Sequence, residues 1–224
     1  MKPLNLELAL AVARERLAAG DPFVFAARAR VPYYAGEFCQ PTGAGDRTAF
    51  RGQNSPSEAR GFFAVDFLGT RHTVTFPAGE VRAASGEAVP LIREVLILHY
   101  LTGASGLPVQ NRWIAFRELP DGAIYAGPFQ ARAVHPLVRY FGPAPEKLIP
   151  AAEALGGFPV AMGDAGAVVP AFPLVPVAVI LWRGDEEFPA AGNILFDGSA
   201  PTHMSAEDYV VLASLVVGEL RKRA

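Results

Sequence analysis

The longest apolar run of the sequence, Ala165 to Trp182, contains Pro170, Pro173 and Pro176. A helix that spans a membrane must satisfy all its backbone polar groups internally, whereas each proline removes a donor and clashes with the preceding turn. The run is therefore predicted to be two extended segments separated by prolines. This constraint excludes a membrane span and requires a sheet in a folded core.

Composition supports one globular domain covering residues 1–224. The chain is 51% hydrophobic and 19% charged, and no linker-like segment divides it, so it can build a substantial core. Its net charge of -2 comes from basic and acidic residues scattered along the chain, which argues against nucleic acid and anionic membranes as partners. The N-terminus has charged residues inside its apolar pattern, unlike a signal peptide, and this predicts a cytoplasmic protein.

Residue periodicity predicts an α+β fold with a mainly antiparallel sheet, packed helices, and helices at both termini. Alternating apolar residues predict a hairpin over residues 61–77 that turns at Gly69-Thr70, and Pro120-Asp121-Gly122 is predicted to join two short strands. A further short strand is expected over residues 193–196. Helical spacing predicts helices over residues 4–19, 22–30, 89–104 and 143–155, and a C-terminal helix that Ser205 and Asp208 cap.

Residues 31–60 are predicted to be a long loop, because they contain few aliphatic residues and many Gly, Pro, Ser, Thr and Asn. Cys39, the only cysteine, lies in this segment, so an intrachain disulfide and a cysteine-rich metal site are excluded. Its neighbour Glu37 would raise the pKa of the thiol, and this favours a structural or incidental role for Cys39.

Histidines offer one candidate for ligand binding. His99 lies inside the apolar helical segment LILHYL, where it is either a core residue with one hydrogen bond or a ligand-facing imidazole. In the second case it could be an axial ligand to a tetrapyrrole or corrinoid in an adjacent cavity. His72 is predicted to face solvent from the hairpin, and His135 and His203 lie in loop-like settings. No histidine pair has the spacing of metal ligands on a helix, so no metal site is predicted.

Asp185, Glu186 and Glu187 form the strongest acidic cluster, between two segments that resemble buried strands. A solvated turn and a catalytic carboxylate pair would both produce this pattern. Phe188 and Pro189 follow immediately and would hold the acids in place, which strengthens the case for a site, while a solvated turn remains the favoured interpretation. In that case Glu186 or Glu187 would be the acid or base.

These features predict one composite site, in which the chain brings His99, Arg117 and the acidic cluster to a common hollow. Arg117 is included because its guanidinium can bind a carboxylate in a bidentate fork. Aromatic residues would supply the apolar walls. The predicted ligand-binding residues are His99, Tyr100, Trp113, Arg117, Trp182, Asp185 and Phe188.

Several of the same phrases carry a resemblance to a known family. LILHYL at 96–101, WIAFRELPDG at 113–122, FPLVPVAVILWRGDEEFPA at 172–190 and ILFD at 194–197 resemble the motifs of an uncharacterised bacterial family, domain of unknown function thirty-seven eighty-six. Family members are common in anaerobic bacteria, and some resemble fusions to a cysteine-rich [4Fe–4S] module of the kind seen in corrinoid proteins. The resemblance therefore implies anaerobic redox or one-carbon metabolism, with any cluster supplied by a partner because this chain has one cysteine.

Three functions are consistent with these observations. The first is an accessory protein that binds a small molecule or cofactor, a corrinoid or other tetrapyrrole being one possibility. The second is an enzyme that uses Glu186 or Glu187 as acid or base, with Arg117 orienting the substrate. The third is a non-catalytic module that docks onto a redox or iron–sulfur partner. The sequence favours the first, and it leaves the oligomeric state open.

Overall fold

The computed structural model describes residues 5–36 and 60–224. These residues belong to two compact units. Of the described residues, the first unit contains 5–36, 60–65 and Thr70–Ala104, and the second contains Asp66–Gly69 and Ser105–Ala224. Cys39 and most of the predicted loop lie outside the described residues. The organisation as one domain stays a prediction.

The first unit combines three helices with a four-stranded sheet. Tyr100 fixes helix α3 to α2, because its buried hydroxyl donates a hydrogen bond of 2.7 Å to the carbonyl of Ala29. Arg14 of α1 forms an ion pair of 3.2 Å with Glu94 of α3. The helices are α1 (Leu6–Ala18), α2 (Pro22–Ala29) and α3 (Leu91–Gly103), and the strands, in spatial order, are β1 (Tyr33–Ala35), β2 (Gly61–Phe67), β3 (Thr70–Phe76) and β4 (Val81–Ala83).

The second unit is built on a five-stranded antiparallel sheet with the spatial order β5-β9-β8-β7-β6. Its two central apolar strands are buried on both faces, as the proline-containing run predicts. The strands are β5 (Trp113–Ala115), β6 (Phe158–Pro159), β7 (Ala165–Phe172), β8 (Val175–Trp182) and β9 (Ala191–Asp197). The helices are α4 (Gly122–Phe129), α5 (His135–Phe141), α6 (Leu148–Glu153) and α7 (Ala206–Arg223).

A π-helical segment, Gln130–Val134, joins α4 to α5 into one continuous helical stretch. The N–H of His135 donates to the carbonyl of Gln130, five residues earlier. Pro136 follows directly and has no N–H to donate to the carbonyl four residues before it, which explains why the α-helical pattern is interrupted here. The wider turn places Arg139 and Gly142 at the far end of α5.

The α+β fold with mainly antiparallel sheets is confirmed, and so are the hairpin, the terminal helices and the cap of α7. Ser205 and Asp208 each accept a hydrogen bond from the other's backbone N–H. The predicted strand after Pro120-Asp121-Gly122 is wrong, because helix α4 begins at Gly122. The described residues contain no helix long and apolar enough to cross a membrane.

Candidate functional site: a groove beside the acidic turn

The acidic cluster is a turn that its own first residue stabilises. The carboxylate of Asp185 accepts hydrogen bonds from the N–H groups of Glu187 at 2.9 Å and Phe188 at 2.7 Å. The backbone N–H of Asp185 donates to the carbonyl of Phe188 at 2.8 Å. The backbone hydrogen bonds from Phe188 and Glu187 lower the pKa of Asp185, so this carboxylate is ionised and committed to the turn.

The other residues of the turn point away from the protein. Glu186 and Glu187 are exposed, and the Phe188 side chain is 67% exposed rather than serving as an anchor in the core. The Asp185 carboxylate therefore fixes the backbone of the turn, a role that the sequence analysis gave to the Phe188 side chain. A catalytic role for Glu186 or Glu187 stays a prediction.

The remaining predicted site residues lie on several elements. His99 is half-buried and Tyr100 is buried on α3, in the first unit. In the second unit, Trp182 ends β8 and is 42% exposed, and Arg117 is exposed on a short 3-10 helix, Phe116–Glu118. Among the described residues, no ion pair joins Arg117 to the acidic turn. The composite hollow stays a prediction.

Trp113 of β5 lines a shallow apolar hollow of about 220 Å³ in the second unit. Phe158 of β6 contributes a second aromatic side chain and is 54% exposed. Trp113 therefore lines a different pocket from the one that the residues flanking the acidic turn line. The other lining residues are Val109, Asn111, Val168, Pro170, Phe172, Pro173 and Pro176.

A larger groove lies directly beside the acidic turn. It has a volume of about 560 Å³, within the range of small-molecule sites, and it is open to solvent. The end of α5 and the loop after it form one wall, and the two ends of the acidic turn form the other. The groove is lined by Val138, Arg139, Gly142, Pro143, Pro145, Arg183, Gly184, Pro189 and Ala190.

Glycines allow close packing within and between the walls of this groove. A Cβ atom at Gly184 would lie 2.6 Å from the N atom of Ala190, at the other end of the acidic turn, and one at Gly142 would lie 3.1 Å from the Cβ of Ala190 in the other wall. Real Cβ atoms essentially never come as close as the first of these distances. Prolines at 143, 145 and 189 further restrict the backbone of the walls, so the groove is preformed.

Two guanidinium groups give the groove a positive charge. Arg139 and Arg183 are both exposed, one on each wall. The N–H of Arg183 donates to the carboxylate of Asp164 at 2.7 Å, which fixes the start of its side chain. Its guanidinium lies 3.8 Å from the carboxylate of Glu146, a long contact between two groups that are each more than half exposed. Such a pair is weak, so an incoming anion can compete with Glu146.

The lining of the groove does not fit an axially ligated tetrapyrrole. Of the described residues that line it, none is a histidine, cysteine, methionine or tyrosine that could bind iron or cobalt. No group of three His, Cys, Asp or Glu residues in the described chain could hold a metal ion. The groove suits an anionic molecule that arginines and apolar contacts bind.

The sequence analysis did not identify Arg139, Arg183 and the glycines of the groove. Arg183 directly follows the apolar run and attracts less notice than the acidic cluster after it, and Arg139 lies 44 positions earlier. The available signal was the pair of proline-rich, arginine-containing phrases, RYFGPAP and WRGDEEFPA. Each puts a guanidinium beside rigid backbone, but sequence alone does not show that they form opposite walls.

The structure is thus an α+β protein with an open groove whose lining includes two arginines and three prolines. The family model for a domain of unknown function, DUF3786, matches residues 47–219. The chain belongs to this family, which confirms the resemblance. A search of curated proteins and a search of solved structures each found no match.

Proposed function

We propose that this chain is an accessory protein that binds a small anionic molecule in the groove between Arg139 and Arg183. The groove carries this proposal, because its lining combines apolar side chains with two arginines, one from α5 and one from the residues after β8. Guanidinium groups bind carboxylates and phosphates through paired N–H donors. The metabolic setting that we propose, anaerobic redox or one-carbon metabolism, rests on the family resemblance.

Trp182 makes the proposal testable by fluorescence. The chain has two tryptophans, Trp113 and Trp182, and Trp182 directly precedes Arg183. In a Trp113→Phe background, the protein would be titrated with flavin mononucleotide, which carries an anionic phosphate, with pyrophosphate as a competitor, and with haem and aquocobalamin as a test of the tetrapyrrole prediction. We expect saturable quenching by flavin mononucleotide, and pyrophosphate should compete with it.

Removal of both charges should weaken binding. An exposed charge pair contributes at most about 1 kcal/mol, so loss of two such pairs in Arg139→Gln with Arg183→Gln should raise Kd by up to about 30-fold. Arg132→Gln is the matched control, since Arg132 is exposed on the same helical stretch but does not line the groove. Equal affinity in the double variant, or no response to any of the ligands, would contradict the proposal.

The two other functions stay predictions. The enzyme would use Glu186 or Glu187, which are exposed on the acidic turn and absent from the lining of the groove. A docking module would need an exposed apolar surface. Leu8 and Val12, one helical turn apart on α1, are 61% and 55% exposed, and this pair supports docking onto a redox or iron–sulfur partner.

A further inference from the structure

A second polar cluster in the same unit takes no part in the groove. Asp197 ends β9, and Ser199, Thr202 and His203 follow it in the connection to α7. Ser105, almost a hundred positions earlier, completes the cluster. Asp197, Ser199 and His203 are each at most 2% exposed, whereas Ser105 is exposed. A surface hydroxyl is thus backed by a buried imidazole and a buried carboxylate.

Ser105 contacts both Thr202 and His203. Its Oγ lies 2.8 Å from Thr202 Oγ1, to which it donates, and 3.5 Å from His203 Nδ1. Thr202 Oγ1 donates in turn to the carbonyl of Ser199 at 2.8 Å. The N–H of Leu107 donates to Ser105 Oγ at 3.1 Å, which holds the hydroxyl in place. A rotation of the hydroxyl proton is enough to direct it to the imidazole.

His203 is in the neutral form that a general base requires. Burial lowers its pKa, although the charge of Asp197 and a backbone hydrogen bond with Leu107 both raise it. The imidazole is therefore neutral at neutral pH. Its other nitrogen, Nε2, is buried and has no hydrogen-bond partner in the structure.

Asp197 supplies a negative charge near this imidazole. Burial raises the pKa of Asp197, but hydrogen bonds from the Gln110 N–H, from Ser199 and from the Asn111 N–H together lower it below its usual value. Oδ1 accepts from the Ser199 hydroxyl at 2.7 Å and from the Gln110 and Ser199 N–H groups at 2.9 Å each. Oδ2 is buried without a partner. An ionised carboxylate here stabilises an imidazolium that forms during reaction.

We propose that Ser105 is a nucleophile toward activated acyl groups, with His203 as its general base. The evidence is the placement of Ser105, an exposed residue, with its Oγ 3.5 Å from the Nδ1 of a buried imidazole, and of a buried aspartate whose charge acts on that imidazole without a hydrogen bond to it. A nucleophilic serine is recognised by contact between its hydroxyl and a base and not by the order of these groups in the sequence. Asp197 is a positioning residue in this proposal.

The chemistry is an ordinary acyl transfer. Ser105 Oγ forms a bond to the carbonyl carbon of an ester, and the hydroxyl proton passes to His203 Nδ1. The bond between the carbonyl carbon and the leaving oxygen breaks, and the leaving group departs with that proton. Water then attacks the acyl-serine with His203 again as base, releasing the carboxylic acid and restoring the hydroxyl.

A fluorophosphonate probe tests the nucleophile directly. Ser105 Oγ would form a bond to phosphorus, fluoride would leave, and the proton would pass to His203. The full chain should be labelled once, and mass spectrometry of its peptides should locate the label at Ser105. Ser105→Ala should abolish labelling. Ser85→Ala is the matched control, since Ser85 is also exposed and its hydroxyl contacts the carboxylate of Glu87 instead of an imidazole.

The base is tested by rate. General base catalysis contributes about 100-fold or more, so His203→Gln should slow labelling, and the hydrolysis of p-nitrophenyl acetate, by about 100-fold. Circular dichroism would verify that this buried variant is folded. If His203→Gln does not fold, the pH dependence of labelling in the unaltered chain replaces it. The rate should then fall as acid protonates the imidazole, and a rate independent of pH would overturn the proposal.

A cysteine at position 105 tests whether reagents can reach this position, independently of whether the serine hydroxyl is reactive. In a Cys39→Ser background, Ser105→Cys should react with iodoacetamide if position 105 is open to reagents. Reaction of this introduced thiol, together with no fluorophosphonate labelling of the original serine, would overturn the proposal. Labelling at other serines, at a rate unaffected by Ser105→Ala, would overturn it as well.

Discussion

Two aspartates near the ends of strands in the second unit, Asp185 after β8 and Asp197 as the last residue of β9, have opposite surroundings. Asp185 is exposed and its carboxylate binds two N–H groups of its own turn, whereas Asp197 is 2% exposed and also binds the N–H of Gln110, which is distant in sequence. Both stabilise backbone that would otherwise lack partners. A chain segment alone does not distinguish them, because burial depends on the elements that pack around each residue.

The groove should bind anions more tightly once its internal competitor is neutralised. Glu146 lies 3.8 Å from the guanidinium of Arg183 and must be displaced by an anionic ligand. Glu146→Gln should therefore lower the Kd of the quenching ligand by about twofold to fivefold, because an exposed pair contributes at most about 1 kcal/mol. Fluorescence titration measures the effect. Glu153→Gln, a change at an exposed residue outside the groove lining, should leave Kd unchanged.

Asp197 should stabilise the second unit. Asp197→Asn keeps the shape but removes the charge from three hydrogen bonds, so we expect it to lower the free energy of unfolding by about 2 kcal/mol at pH 7. Urea unfolding followed by tryptophan fluorescence measures this loss. Asp185→Asn should cause a smaller loss, because Asp185 is fully exposed. An Asp197→Asn variant as stable as the unaltered chain would contradict the prediction.

The same variant should change the response to acid. The pKa of Asp197 in the folded state is lower than its ordinary value of 3.8. Its charge therefore contributes stability that is fully present above about pH 4 and is lost as the pH falls through the folded pKa. Unfolding measured from pH 7 to pH 2.5 should show Asp197→Asn losing less stability below pH 4 than the unaltered chain. Parallel curves would contradict this assignment.

The burial of one histidine could be predicted from the local sequence, whereas the burial of another could not. The prediction that His72 faces solvent is wrong, because His72 is 2% exposed and its Nδ1 lies 3.0 Å from the carbonyl of Thr70. Strand alternation puts His72 on the same face as Val74 and Phe76, so the sequence contained this information. The burial of His203 was not predictable in this way, since residues of several distant elements produce it.

At the scale of elements, strong periodicity and caps predicted most of the fold. Asp21 caps α2 and Ser205 caps α7, as their positions before apolar helical segments indicate. Helix α4 was missed because Pro120-Asp121-Gly122 resembles a hairpin turn and Pro128 lies inside the helix. Helical residues around Pro128 are stabilised by packing, which sequence propensity does not include.

Alanine substitutions at helical glycines should change stability in opposite directions, depending on the space around each glycine. A Cβ atom at Gly218 in α7 would have no neighbour within 4 Å apart from its own helix backbone and adjoining residues. Gly218→Ala should raise the free energy of unfolding by about 0.5–1 kcal/mol, since alanine loses less backbone entropy on folding. Gly127→Ala in α4 should give no such gain, because Pro128 follows directly and disfavours helical backbone at a preceding residue that carries a Cβ. Gly122→Ala should lower the free energy of unfolding, because the new Cβ would lie 2.1 Å from the carbonyl oxygen of Phe116. Urea unfolding checks all three, and a stabilised Gly122→Ala would contradict the geometry.

The two candidate sites could not be predicted from the sequence, because each depends on the tertiary structure of the whole molecule. The groove joins the end of α5 to the loop between β8 and β9, and the Ser105 cluster joins the residues after α3 to those after β9. Each site depends on which chain segments become neighbours. Element types follow from local patterns, whereas these pairings follow from tertiary packing.

The prediction of one domain can be tested with the two buried tyrosines as a matched pair. Both tryptophans belong to the second unit, so their fluorescence reports the unfolding of that unit. Tyr100 of the first unit donates to the Ala29 carbonyl, and Tyr209 of the second donates to the Ala200 carbonyl at 2.8 Å. Phenylalanine at either position should cost about 1–2 kcal/mol, because it removes a buried hydrogen bond. The Ala200 carbonyl still accepts a hydrogen bond from the His203 N–H at 3.0 Å, so the cost at Tyr209 should lie at the lower end of this range.

If the chain unfolds as one cooperative domain, Tyr100→Phe and Tyr209→Phe should both lower the urea midpoint seen by tryptophan fluorescence, and far-UV circular dichroism should give coincident transitions. This is the result that we expect. If Tyr100→Phe shifts only a separate circular dichroism transition and leaves the fluorescence midpoint unchanged, the two units unfold independently. The prediction of a single domain is then wrong, because a loss in the first unit reaches tryptophans in the second only through cooperative unfolding.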